Sequence, residues 1–403
     1  MNTTTVMSTT TDLYKYSAAV TFIADGEVHN LETVNVRTIA IDYDYDNMNM
    51  PMIFMTLGIY KSLANIMIMK QDSGIFILDL KRAIANSDMP NLYQDYINDK
   101  FIYFIEGNVD QDTIVEITED ALDDDTTVTV GLLCQDHVNK NKKPINGIIN
   151  GNLSSAMYYL TGHLPIIMEP PTNNVSMENK VIPPMNSVAK SLKYLDSLNV
   201  FYDTPYRFFI DFNHAYLISS SGRAVKAKGE NIGTVIITIS YADEYDAKVQ
   251  GMNTNKSQGL YEFIVSHKDC ELCDNTLSNK SFSKMNAATT TGNYIKANSS
   301  TKKSDSNTKA KSRSIRIAND NTGLLDNMVT KMDQSSIQIL VQKTDIDAAV
   351  FTMNKEYIIR ADDAYKTDAY NGRYLLKRKR ELYIRDDDTF TVNVMLLFEK
   401  VPG

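Results

Sequence analysis

The chain has 403 residues, of which 43% are hydrophobic and 23% are charged, the balance of a globular protein with two or three domains. Its formal net charge of −9 argues against a general nucleic-acid binder, whose binding surface would be basic. Three cysteines are too few for a disulfide framework, and the longest apolar runs, such as residues 394–398, are far shorter than a membrane-spanning helix. Residues 1–11 have neither a basic start nor an apolar stretch, so we expect no signal peptide and synthesis in a cytoplasm.

Residues 1–139 predict a β-rich domain with one or two helices. The strand candidates are residues 20–23, 52–59, 101–105 and 126–133. In the last of these, Val128, Val130 and Leu132 alternate with small or polar residues, which is the pattern of a half-buried strand. Helices are predicted at residues 60–69 and 91–98.

Residues 140–205 predict a small mixed α/β domain. A short helix is expected at residues 154–160, because Gly162 follows it and can end it. Ser187 can cap a second helix, whose apolar residues recur at helical spacing and would lie on one face. These apolar residues are Val188, Leu192, Leu195 and Leu198.

Residues 201–222 combine dense aromatic residues with strand alternation. Proline at position 205 favours an extended chain before it, Phe208 to Phe212 alternate, and residues 219–222 end the run as a turn. The aromatic residues are Tyr202, Tyr206, Phe208, Phe209, Phe212 and Tyr216. We expect most of them to lie in a core, and the alternative is that one face packs on a neighbouring chain.

Residues 206–250 and 325–403 are predicted to form a second, discontinuous β-domain. Its strand candidates are residues 234–241, 337–341, 348–353, 374–384 and 390–398, with a short helix at 324–332. The interruption, residues 251–324, is predicted to be a low-complexity insertion, because residues 274–312 contain only five large apolar residues among 39. Since each half looks incomplete alone, we expect them to meet across the insertion.

The chemical candidates are few. His267, Cys270 and Cys273 have a spacing that could place three ligands on one zinc ion, but a fourth ligand would have to come from elsewhere. A pair of reduced cysteines is the favoured interpretation, and a redox role is the remaining alternative. The five histidines lie in no recognisable catalytic context, and no Gly-rich phosphate loop occurs. The sequence therefore predicts no catalytic residue, no cofactor-binding residue and no metal ligand.

Residues 377–380 form the strongest basic cluster, with the sequence Lys-Arg-Lys-Arg. In a strand its side chains alternate between faces, so at most half can line one surface. Residues 386–388 are all aspartate and offset the positive charge. A salt-bridged surface or a subunit contact is therefore favoured over contact with passing DNA.

Three segments occur in the order found in one family. In chain order they are an acidic-aromatic run with a Met-Pro strand at residues 41–59, the aromatic segment at residues 201–222, and closing strands at residues 370–378 and 389–394. Together they resemble the hub proteins of bacteriophage contractile-tail baseplates, the tail-tip family that includes the late control D type. The resemblance covers residues 15–250 and 325–403.

The resemblance implies an α+β fold that is predominantly antiparallel β, with two tail-tube-like β-barrels and a small mixed α/β domain. It implies a structural virion protein of the tail baseplate, made in the host cytoplasm, with no membrane insertion and no chemical step. As a homotrimer it would join the sixfold tail tube protein to a threefold central spike protein, beside baseplate wedge proteins. DNA would pass through the lumen without specific binding.

The candidate assembly interface consists of six side chains: Tyr206, Phe208, Phe212, Tyr216, Arg378 and Arg380. Two alternatives remain. The first is a tail-tip peptidoglycan hydrolase, and the second is a peripheral baseplate or receptor-binding module.

Overall fold

The structure is a computed structural model. It describes residues 13–46, 48–85, 93–106, 125–142, 145–162, 164–185, 187–202, 206–219, 224–225, 233–241, 253–255, 259–273, 338–344, 347–362 and 371–401. The helix predicted at residues 324–332 lies outside these residues. Within them the chain is mostly β-strand with few helices, and most strand pairs are antiparallel. No helix of the described part is long and apolar enough to span a membrane.

The strands of the first third of the chain are β1 (Leu13–Ala24), β2 (Glu27–Leu31), β3 (Val36–Asp44), β4 (Met52–Tyr60), β5 (Ile75–Ala85), β6 (Tyr93–Glu106) and β7 (Asp125–Cys134). The central strands are β8 (Ile145–Gly151), β9 (Ile166–Met168), β10 (Met177–Met185), β11 (Tyr206–Ile210), β12 (Ala215–Ser219) and β13 (Gly233–Ser240). The last strands are β14 (Asn253–Asn255), β15 (Leu260–Ser266), β16 (Cys270–Cys273), β17 (Gln338–Thr344), β18 (Lys355–Ala361), β19 (Gly372–Asp386) and β20 (Thr389–Lys400). The helices are α1 (Lys61–Met69), α2 (Gln135–Lys142), α3 (Leu153–Thr161) and α4 (Val188–Asn199).

Eight strands form a closed circuit of pairings, which we call the first β unit. The order is β3, β4, β7, β6, β5, β1, β20 and β19, and β19 then pairs with β3 again. The chain's N-terminal strands therefore complete their circuit with its C-terminal hairpin. The inward side chains form one apolar core, to which Phe22, Ile41, Leu78 and Val130 belong.

The second β unit contains β13 to β18 and uses the same hairpin. Strand β13 lies between β15 and β18 with both pairs parallel, and β18 continues to β19. On the other side β20 pairs with β17, which pairs with β16. Strands β19 and β20 thus belong to both units. A bulge in β19 at Lys377 separates the residues that pair with β18 from those that pair with β3.

The small unit contains α3, α4 and two small sheets around a separate apolar core. Ser187 caps α4 by accepting a hydrogen bond from the Lys190 backbone N–H, as predicted, and Gly162 ends α3 with a left-handed φ of 66°. Strands β11 and β12 pair with each other and with β9, so they lie with the small unit. Strand β11 contributes Phe208 and Ile210 to the core of the small unit and Phe209 to the core that includes β13. The expected start of the second β-domain at residue 206, like the rest of the division into domains, stays a prediction.

Three predicted elements were wrong. Residues 91–98, predicted as a helix, fall largely in β6, where a bulge lets the adjacent residues Tyr96 and Ile97 both contact the interior and so imitates helical spacing. Residues 348–353, predicted as a strand, begin with a 3-10 turn at Ala348–Val350, in which Ala348 and Val350 are buried without pairing in a sheet. The insertion predicted at residues 251–324 begins too early, because its first part contains β14, β15 and β16, and Phe263 and Val265 of β15 are buried. Residues 274–324 lie outside the described residues, and the low-complexity segment there stays a prediction.

Candidate functional site

The pairing of β3 with β19 sets acidic residues opposite basic ones. We call residues 38–44 and 378–384 the β3–β19 seam. Asp44 lies opposite Arg378 and Asp42 opposite Arg380, because alternate residues of two antiparallel strands share a face. The Asp44 carboxylate is 2.9 Å from Arg378 Nε, and Asp42 Oδ1 is 3.7 Å from Arg380 Nε. The acidic N-terminal run and the basic C-terminal cluster thus neutralise each other within one chain.

Asp46 lies where all three units meet, at the bulge in β19. The Lys377 ammonium is 3.0 Å from the Asp46 carboxylate and 2.5 Å from that of Glu399. Arg207 of β11 is 3.5 Å from Asp46 and donates a 2.8 Å hydrogen bond to the Leu376 carbonyl. Burial alone would lower the pKa of Lys377, but the two carboxylates outweigh it and raise the pKa above its ordinary value. We call these four charged residues the Asp46 junction.

Strand β11 is sandwiched between two cores. Phe208 and Ile210 face the core of the small unit, whereas Phe209 faces the core shared by the β units. Phe209 contacts Tyr45 edge-to-face, with a centroid distance of 4.8 Å, and the Ile210 N–H donates to the Asn49 carbonyl at 2.8 Å. The aromatic segment therefore fixes the small unit onto the N-terminal strands.

A second polar cluster is enclosed in the core of the first β unit. Glu381 is 0% exposed and accepts hydrogen bonds from the hydroxyl groups of Tyr96 at 2.6 Å and Tyr383 at 2.7 Å. Its carboxylate is also 2.6 Å from Lys379 Nζ, which lies 4.1 Å from the centroid of the Tyr43 ring. Burial, and next the charge of Glu381, raise the pKa of Tyr96 and of Tyr383 well above the ordinary value, so both remain hydrogen-bond donors at neutral pH.

The six predicted interface residues all lie in contacts within the chain. Phe208 and Tyr216 are buried, Tyr206 and Phe212 are half-buried against the two cores, and Arg378 and Arg380 face Asp44 and Asp42. Contact of these side chains with another subunit stays a prediction. The acidic partners Asp42, Asp44 and Asp46 were not predicted as site residues, although their period of two matches that of the basic cluster.

Comparison with known proteins gave matches to solved structures only. No protein-family model matches the sequence, and no curated protein matches it. A tail protein from Neisseria meningitidis is 7% identical and has a TM-score of 0.46, and the alignment covers 95% of this chain and 97% of that protein. The 43 kDa tail protein of prophage MuSo2 from Shewanella oneidensis is 11% identical with a TM-score of 0.42, over 94% of this chain and 98% of that protein. The structural neighbours of the present chain thus include tail proteins, one of them from a prophage.

Another neighbour comes from a secretion system. The E. coli c3393 protein, a type VI secretion component described as similar to bacteriophage T4 tail proteins, is 8% identical with a TM-score of 0.40. The alignment covers 92% of this chain and 74% of that protein. Tail proteins, the class that the sequence resembles, thus occur among these structural neighbours.

The basic cluster has different counter-charges from those expected. The sequence suggested that residues 386–388 offset it, but the structure pairs Lys377, Arg378 and Arg380 with the acidic residues of the β3 region and with Glu399. Asp387 instead forms the β19–β20 turn, with a left-handed φ of 52°. These ion pairs result from strand register rather than closeness in sequence, and the predicted choice between a salt-bridged surface and a subunit contact stays open.

Of the three zinc candidates, His267 lies in a 3-10 turn and the two cysteines lie in the strand that follows it. Cys270 and Cys273 are the first and last residues of β16, which pairs with β17. His267 stacks on Tyr241 with a centroid distance of 4.9 Å. No group of three potential metal ligands occurs among the residues whose side chains are described, and the Cys273 side chain lies outside them.

Replacing Asp46 with asparagine is expected to lower the free energy of unfolding by about 1–2 kcal/mol, since the junction loses charged partners that are only partly exposed. Urea unfolding would measure the loss. Asp25→Asn is the matched control, because the Asp25 and Lys70 ion pair is exposed and we expect a change near zero. Equal effects of the two substitutions would contradict a stabilising role of the junction.

Proposed function

We propose that this protein is a structural component of a phage tail, a baseplate hub on the tail axis that joins a sixfold tail tube to a threefold central spike as a homotrimer. The observation that carries the proposal is the hairpin β19–β20, which belongs to both β units. In this proposal each β unit is a tail-tube-like barrel, the first closed by its eight-strand circuit. Three protomers then supply six similar units.

The shared hairpin supports this role because a ring of six units closes only if the two units of each protomer keep a fixed relation. A flexible linker between the units would allow many relative positions. Here continuous backbone pairing along β19 and β20 joins them, and the Asp46 junction adds the small unit. A rigid protomer of this kind can transmit force between a tube and a spike without a chemical step.

The charge distribution supports a central channel that does not bind DNA. The chain has a net charge of −9, and its strongest basic cluster is neutralised by carboxylates of the same chain. We therefore infer that DNA passes without specific binding. Tail tube, central spike and baseplate wedge proteins are the proposed partners, and the proposed location is the virion tail.

The enclosed position of the Glu381 cluster supports a non-enzymatic role. Its carboxylate is fully buried among tyrosines and a lysine, where no substrate can approach. A cavity among the described residues, lined by Asn49, His137 and Phe208, has a volume of about 10 Å³ and can hold about one water molecule. Neither feature offers a site for a polymer such as peptidoglycan.

Light scattering tests the trimer. We expect the purified chain to have three times the mass of one chain, or to be present as three copies in its complex with a spike protein. A monomer under both conditions would reject the homotrimer. Lysis of host peptidoglycan in a zymogram would favour the hydrolase alternative instead.

A further inference from the structure

Asp42 occupies an unusual position in the β3–β19 seam. It lies between Arg380 of β19 and Met52 of β4, and only 8% of its surface is exposed. Within the described part of the chain, neither of its carboxylate oxygens has a hydrogen-bond donor. Its nearest cation, Arg380 Nε, is 3.7 Å away, which is too far for a hydrogen bond.

The neighbouring pair in the same seam differs. Asp44 lies two residues along β3 on the same face, and its carboxylate is 2.9 Å from Arg378 Nε. The seam thus contains one close ion pair and one buried carboxylate with a distant partner. A buried charge without hydrogen bonds raises the free energy of the folded state.

The groups around Asp42 act in opposite directions. Arg380 and Arg378 of β19 favour its ionised form, whereas Asp44 on its own strand and Glu106 of β6 disfavour it, and Met52 of β4 contributes an apolar surface. Burial is the largest influence, and together these raise the pKa of Asp42 from 3.8 to about 6. Burial likewise raises the pKa of Glu106.

Asp42 lies in a strand pairing on which the closure of the first β unit depends. The β3–β19 pairing is where the N-terminal strands join the C-terminal hairpin and complete the circuit of the first β unit. Opening this pairing would separate parts of the chain that are more than 330 residues apart. A change of charge at Asp42 therefore acts on a long-range contact rather than on a local turn.

We propose that Asp42 makes the β3–β19 seam sensitive to pH, so that the seam is held more firmly when the carboxyl group is protonated and opens more readily when it is ionised. The direction follows from linkage, because an acid that binds its proton more tightly in the folded state stabilises that state as the pH falls. The change begins as the pH falls through about 6, the midpoint of Asp42 protonation in the folded chain, and is complete near the ordinary value of 3.8. Each pKa unit corresponds to a tenfold change in an opening equilibrium, so the full shift allows up to about a hundredfold.

Hydrogen exchange of the full-length chain tests the proposal. After correction for intrinsic exchange rates, we expect amides of residues 38–44 and 378–384 to be at least about tenfold better protected at pH 5.0 than at pH 7.5. Amides of β13 and β18, which lie in the second β unit, serve as the internal reference. Asp42→Asn is expected to give high protection at both pH values, because its side chain carries no charge to bury.

Two further variants keep the test decisive if Asp42→Asn does not fold. Asp44→Asn breaks the close ion pair and should reduce protection at both pH values while the difference between them remains. Arg380→Gln removes the main attraction for ionised Asp42 and should move the midpoint of Asp42 protonation, below which protection rises, above pH 6. Equal protection of the wild-type seam at pH 5.0 and 7.5, or an unchanged midpoint in Arg380→Gln, would overturn the proposal.

Discussion

Replacing Glu381 with leucine is expected to lower the free energy of unfolding by about 3–5 kcal/mol, which is the usual result of removing one partner of a buried ion pair. The substitution leaves the Lys379 ammonium in the core without its counter-charge and removes the acceptor of the Tyr96 and Tyr383 hydroxyl groups. Since whole domains are stable by only about 5–15 kcal/mol, many molecules should unfold or aggregate at 37 °C. Thermal unfolding followed by circular dichroism would measure the loss.

Two variants separate this effect from a general sensitivity to mutation. Glu356→Ala breaks an ion pair with Arg373 that is partly exposed, and we expect a change of about 0–1 kcal/mol. Lys379→Met combined with Glu381→Leu replaces both charges by apolar groups and should recover much of the stability, though the two tyrosines still lack their acceptor. A double variant as unstable as Glu381→Leu would show that the buried charge is not the cause.

A fragment containing only residues 13–142 is expected not to fold alone. It lacks β19 and β20, so the circuit of the first β unit is open, the edge of β3 that faces β19 is unpaired, and β1 loses its pairing at Tyr16. It also lacks Tyr383, Phe390 and Val392, each at most 1% exposed in the full chain. Burial of these three side chains contributes about 5–9 kcal/mol, comparable to the whole stability of a domain.

Adding residues 372–403 as a separate peptide should restore folding of the fragment, because the peptide supplies the missing hairpin. Amide NMR spectra would show the change from poorly dispersed to well dispersed signals. A fragment that gives a dispersed spectrum without the peptide would mean that the N-terminal strands form an independent domain, as the sequence suggested for residues 1–139. The shared hairpin would then be a contact between two domains that fold independently.

The sequence predicted elements whose pattern is local. Strand β20 alternates apolar and polar residues over most of its length, and α4 has a serine cap followed by apolar residues at helical spacing, so both were recognised. The bulge in β6 was not recognised, because the extra residue Tyr96 changes a period of two into a spacing that looks helical. Residues 348–353 were predicted as a strand because their apolar residues looked buried, but the burial of Ala348 and Val350 comes from tertiary contacts outside a sheet.

Which residues meet in the candidate site depends on how distant strands pair, and the sequence is least informative about this pairing. The acidic run at residues 42–46 and the basic run at residues 377–380 are each visible, but only the register of β3 on β19 shows that they pair. Likewise, dense aromatic residues at β11 indicated burial, but nothing in their spacing revealed that this strand lies between two cores. Pairing across such sequence distances depends on the whole fold.

The central claim is that one rigid protomer presents two similar β units, and that three protomers form a ring on the tail axis. An electron cryomicroscopy map of the assembled tail tests it most directly. The account predicts threefold density for this chain on the axis, with six similar β units between the tube and the spike. Density for this chain away from the axis, or six copies of it in one ring, would contradict the account.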